Sequence, residues 1–190
     1  MMKHLVIDVL SLPAISGFSF SFNGVAIDGT KLRAVRTAVE DGSIGVNHSN
    51  RIGHESVRYS YKRNRFDFGF HSAKGQIFRE AAIMHESVHA ALDLMNIRRS
   101  LLDSETAAYI IECMFVYQNR FIYGEGGVGH FLRPQLKSLS PILNEAWTIV
   151  TTADGNPALT NTALDPLRQA ISAYPSYYYR LDSILDKAPD

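Results

Sequence analysis

Within IMHESVHAAL, residues 83–92, two imidazoles and a carboxylate interrupt a run that otherwise suits a buried helix. Of the remaining members only Ser87 is polar; Ile83, Met84, Val88, Ala90, Ala91 and Leu92 are all apolar. His85 and His89 are four apart, so on a helix they leave the same face with Cβ atoms only ~5–6 Å from each other. Both rings can then converge on a single ion at N–metal distances of ~2.0–2.1 Å. Glu86 is rotated one step round the helix, which puts it beside the ion's open position, where a carboxylate can serve as a general base. An ion also explains why ionisable groups are tolerated here, because buried charge survives only when paired or coordinated. The spacing is HExxH: His85-Glu86-Ser87-Val88-His89.

The chain carries its own control for this pattern. His54-Glu55-Ser56-Val57 repeats the first four letters, but Arg58 stands fifth and the surroundings alternate with the period of a strand. The imidazole pair is missing there, and so is the chemistry.

A catalytic zinc commonly has three protein ligands and one open position. Candidates for the third are Glu105 and Glu112, seven apart and so on nearly one helical face, with Asp103 and Asp93 as further carboxylates. A turn over residues 96–100 would fold a second helix back along the first, bringing the early turns near the histidines and favouring Glu105. A carboxylate in a helix's first turn also complements the helix dipole without any metal. Asp93, one turn beyond His89, would diverge from the ion and better suits accepting a hydrogen bond from a ligand or an arginine.

HESVHAALDL followed by SETAAYIIECMF resembles the zincin metallopeptidases of gluzincin type. The likeness is closest to small single-domain bacterial members with an HExxHAxxD pattern and a later ExxAY, and it covers about residues 66–123. It implies one Zn2+ per chain, bound by His85, His89 and Glu105, with Glu86 as general base. It also implies a peptide or protein substrate, lying extended along Phe66, Asp67, Phe68, Gly69 and Phe70 upstream of the metal helix. Many gluzincins place an acid one turn after the ligand glutamate, where this chain has Tyr109; Asp93 or Glu112 would then supply that contact. Candidate oxyanion donors are Tyr109, His130 and the Tyr177-Tyr178-Tyr179 cluster, although His130 also reads as a surface loop histidine and the cluster as packing at a helix start. The expected activity is zinc-dependent hydrolysis of peptide bonds. The alternatives are a metal- or protein-binding module on the same fold without turnover, and a toxin-like protease domain with one cellular target.

These residues need elements to position them. Leu5–Leu10 reads as a strand, and residues 18–22, Phe-Ser-Phe-Ser-Phe, alternate with period two. Asn23-Gly24 and Asp28-Gly29 signal turns; Thr30 then caps a helix running to about Glu40, which Asp41-Gly42 stops. Ile44–Val46 suits a short strand, and residues 56–61 and 66–70 form a hairpin around Lys-Arg-Asn. From Gly75 onward the pattern turns helical, with helices expected over 76–95, 104–123, 134–151, 162–173 and 176–187. The glycines of residues 124–129, Gly-Glu-Gly-Gly-Val-Gly, follow a helix and lack a Gly-Lys-Ser/Thr, so they mark a helix stop or hinge, not a phosphate loop. Strands first and helices later predict an α+β domain over 1–190, with a sheet-rich part (1–74) and a helical part (75–190) of zincin-like form.

Composition narrows the partners. The 190 residues carry 19 Lys+Arg against 19 Asp+Glu, which removes the positive field expected of a general nucleic-acid binder. Cys113 is the only cysteine, so no internal disulfide can form, and its apolar setting suits a small buried hydrophobe. The basic start and apolar stretch of MMKHLVIDVLSLPAIS is interrupted by Asp8 and lacks a small-x-small site, which disfavours a signal peptide. No apolar run reaches the ~18 residues needed to span a bilayer. Cytoplasmic placement without membrane contact is expected, unless delivery uses a route independent of a signal peptide.

Overall fold

The hydrophobic pattern of the first residues is helical, not extended. Leu5, Val6, Val9 and Leu10 are buried while His4 and Asp8 are exposed, a spacing of one and four that only a helix puts on one face. In the computed structural model, which describes residues 2–22, 25–97, 100–122, 140–155 and 161–174, this segment is helix α1 (Lys3–Leu10). The expected strand is therefore corrected: β-branched content is a weaker signal than periodicity.

A 3-10 turn (Pro13–Gly17) leads into an antiparallel pair, β1 (Ser19–Phe22) and β2 (Val25–Asp28), in which Phe22 faces Val25. Helix α2 (Gly29–Asp41) follows, and its cap is Asp28, whose carboxylate accepts from the amides of Thr30 and Lys31. Thr30 is thus the second helical residue and not the cap. Gly42, with φ +90°, ends the helix in the left-handed conformation that glycine adopts without penalty.

The second sheet has three strands, β3 (Gly45–His48), β4 (Val57–Ser60) and β5 (Arg65–Phe68), in the order β3-β5-β4. β5 runs parallel to β3 and antiparallel to β4. Val57, Tyr59, Phe66 and Phe68 are buried on the face turned toward the helices. The hairpin joining β4 to β5 turns through Asn64, at φ 45°.

The helical part begins with α3 (Ile77–Leu94) and α4 (Leu101–Gln118). α3 ends where Met95 gives way to Asn96 at φ 51°; Asn96 donates its amide to Asp93 O and Ile97 donates to Leu92 O. This pair of bonds is a Schellman closure with asparagine in the left-handed position. The serine cap of α4, Ser100, accepts from the Asp103 amide. His89 then meets Ser104 while His85 meets Glu105 and Glu112, so the two helices run antiparallel. Helix α4 is buried all round from Ser104 to Val116, packed by α3, by β1 and by two later helices, α5 (Ser140–Thr152) and α6 (Asn161–Ser172). One continuous apolar core runs from Leu5 to Ile171. The architecture is α+β as the sequence suggests, with two helices, not one, in the sheet-bearing half. The glycines at 124–129, His130, residues 134–139, the tyrosines at 177–179 and the helix expected over 176–187 lie outside the described residues.

Candidate metal centre

Helices α3 and α4 bring His85, His89 and Glu105 together, with one potential ligand atom from each lying within 4.8 Å of the others. His85 Nε2 is 3.2 Å from one Glu105 oxygen, and His89 Nε2 is 3.5 Å from the other. Tetrahedral bonds of ~2.0–2.1 Å imply ligand atoms about 3.3 Å apart, so these separations match a shared small cation. All three residues are buried. This buried group could hold a metal ion.

The outer nitrogens are engaged separately. His85 Nδ1 lies 2.9 Å from Glu112 Oε2, and His89 Nδ1 lies 2.7 Å from Ser104 Oγ and 3.2 Å from the Tyr61 hydroxyl. Were Nδ1–H donated outward in both rings, each Nε2 lone pair would face Glu105, an arrangement that a shared cation bridges.

Without an ion, a proton takes part of that role. Burial disfavours a charged His85, but the Glu105 and Glu112 carboxylates outweigh it and hold its pKa well above the usual imidazole value. His89 goes the other way. Burial pulls it down to about 4 against the pull of Glu105, and the neighbouring His85 charge adds to the depression.

Glu86 leaves α3 on the side facing the sheet, partly buried, and its Oε2 accepts the Tyr59 amide at 2.6 Å. Burial raises its pKa to about 7, against the lowering effects of His85 and of that amide bond. Such a value suits an acid–base group at neutral pH.

Among the described residues, Asp93 is bonded to a tyrosine and not to a histidine or an arginine. Its Oδ2 lies 2.6 Å from the Tyr59 hydroxyl, which also lies 2.6 Å from Asn64 Oδ1. Tyr109 packs its ring edge-on against His85 with centroids 4.6 Å apart. The contact that Tyr109's position would have given to an acid is made from Glu112, two turns past Glu105. Asp103 is drawn out of the cluster by Arg168, 2.5 Å away on α6.

The substrate strand expected at Phe66–Phe70 is overturned. β5 is the central strand, paired on both sides, so it has no edge to offer. Phe66, Phe68 and Phe70 are core, and Asp67 is buried against Arg65 and Asn47. Gly69 donates its amide to Ser56 O and sits so close that a Cβ there would meet Gly53 O at 1.9 Å. The edges are β3 and β4; in β4, with Ser56 bonded inward to Gly69, Val57 and Tyr59 turn their backbone groups outward. Period-two alternation marks a strand but not its rank in the sheet.

The second HESV copy plays a structural part. Glu55 is exposed and takes a two-pronged ion pair from Arg79, with both N···O distances 2.7 Å. Ser104 and Tyr61 were not identifiable from sequence alone: the two are 43 positions apart, and a hydroxyl in a helix ordinarily bonds its own backbone. Comparison of the chain with family models, curated proteins and solved structures finds no match.

Proposed function

We propose that the chain is a zinc-dependent hydrolase that cleaves peptide bonds, as the likeness to gluzincins implies. The observation that carries the reading is the convergence of His85 and His89 Nε2 on Glu105, with Glu86 next to His85 on the same helix. Nitrogen and carboxylate donors in a three-ligand set suit zinc with one position open. Zinc held there supplies a Lewis acid and makes water a nucleophile near neutral pH.

The protein's own groups do the rest. Glu86, held against the Tyr59 amide beside the cluster, would take the proton of the attacking water and pass it to the leaving amine. The Tyr59 amide fixes one carboxylate oxygen and leaves the other for the proton. Glu112 and Ser104 keep both rings turned so that Nε2 serves as ligand. The outward edge of β4, where Val57 presents its backbone groups beside the Tyr59 amide that Glu86 occupies, is where an extended peptide would add as a further strand.

The test is digestion of a diverse peptide library by wild type and Glu86→Gln, both loaded with zinc. The variant should keep its metal and lose ~10²–10⁴-fold in rate. Equal digestion by the two removes Glu86 as base; no digestion by either leaves a metal-binding module.

A further inference from the structure

The two histidines are held from behind by chemically different groups. Glu112 sits against His85, whereas His89 has two hydroxyls. Ser104 is 1% exposed, and the Tyr61 hydroxyl lies 3.2 Å from its Oγ. We propose that Ser104, steadied by Tyr61, is the positioning residue that sets the tautomer of His89 for metal binding; this rests on reading the cluster as a metal centre.

Ser104 and Glu105 are consecutive in α4, so one helical turn grips His89 at both ring nitrogens. If Ser104 accepts from Nδ1–H, Nε2 keeps its lone pair for the ion; if Ser104 donated, Nε2 would carry the proton and be blocked. An ion on Nε2 requires the proton on Nδ1, and Ser104 Oγ has the two lone pairs needed to accept from His89 Nδ1–H and from the Tyr61 O–H together. Hydroxyls also orient the ring without adding charge to a pocket that already contains Glu86, Glu105 and Glu112. Tyr61 begins the 3-10 turn after β4, so the same contact ties the edge strand's end to the centre.

The test uses the full chain with Co2+ as probe. Affinity is read by chelator competition, and exchangeable imidazole N–H signals are read in the proton NMR spectrum of the loaded protein. Wild type should show such a signal from His85 and from His89. Ser104→Ala should bind Co2+ ~10–100-fold more weakly and lose the His89 signal while keeping that of His85. Tyr61→Phe, which keeps the packing, should weaken binding in the same direction and broaden the His89 signal, so the idea stays testable should Ser104→Ala not fold. Unchanged affinity with both signals intact in the variants overturns this proposal alone. Failure of the wild type to bind Co2+ or Zn2+ overturns the metal reading and this one with it.

Discussion

On the proposed reading, His85 is the residue at which a proton and a metal compete. Its folded pKa is raised chiefly because Glu105 and Glu112 outweigh burial, so the imidazolium persists above the pH at which a free histidine would lose its proton. A metal must displace that proton, and affinity should fall as pH falls through the raised value. Calorimetric titration with Zn2+ at pH 7 in buffers of different ionisation enthalpy should report release of at least ~1 proton per ion. Glu112→Gln should lower the number released, because one of the two carboxylates holding the proton is gone. Buffer-independent heats in the wild type would contradict this account. At this scale the sequence spoke clearly for His85, Glu86 and His89, since one helix and a spacing of four decide their geometry. Glu105 needed an assumption about the turn at 96–100, and the Schellman closure at Asn96 supplies it.

Elements are joined mainly by side chains that pattern alone does not pair. Tyr59 fastens β4 to α3 at two points seven residues apart, its amide on Glu86 and its hydroxyl on Asp93. Its phenol pKa is raised by burial and by the Asp93 carboxylate, so it remains a donor across the physiological range. Tyr59→Phe should cost ~1–3 kcal/mol, because buried Asp93 loses that donor. Urea unfolding of the metal-free protein measures this; a loss below about 0.5 kcal/mol would mean the hydroxyl contact contributes little. Asp93 was legible as a helix carboxylate near the site, but its partner lies 34 positions away on a strand. The strand reading of residues 5–10 failed because Val and Ile favour extended chain locally, whereas packing against α2 and α3 rewards the helical stripe. The choice of β5 as substrate strand failed because strand order is a tertiary property. The β4–β5 hairpin, the ends of α3 and the antiparallel helix pair are local and were readable, whereas the cap of α2 and the bounds of α4 lay two to five residues away from the expected positions.

For the whole molecule, one apolar core couples the centre to global stability, since α3 and α4, which hold the cluster, are also its most buried helices. A ligand that binds only the folded state at 100 times its Kd stabilises it by ~2.7 kcal/mol. For a chain of this size that is a rise in Tm of roughly 5–10 °C. Zn2+ should produce such a rise, and a chelator should reverse it; an unchanged melting curve would argue against a buried site. Among the described residues no helix is long and apolar enough to cross a membrane. The α+β class was legible because every described strand precedes residue 69 and a long helical run follows residue 76, but the parallel β3–β5 pairing, which crosses between non-adjacent segments, was not.

The most direct measurement is anomalous scattering at the zinc absorption edge from a crystal grown with Zn2+. The account predicts one strong peak about 2 Å from His85 Nε2, His89 Nε2 and a Glu105 oxygen, with Glu112 and Ser104 outside the coordination sphere. A peak bound instead by Glu112, or no peak between the two imidazoles, would contradict it.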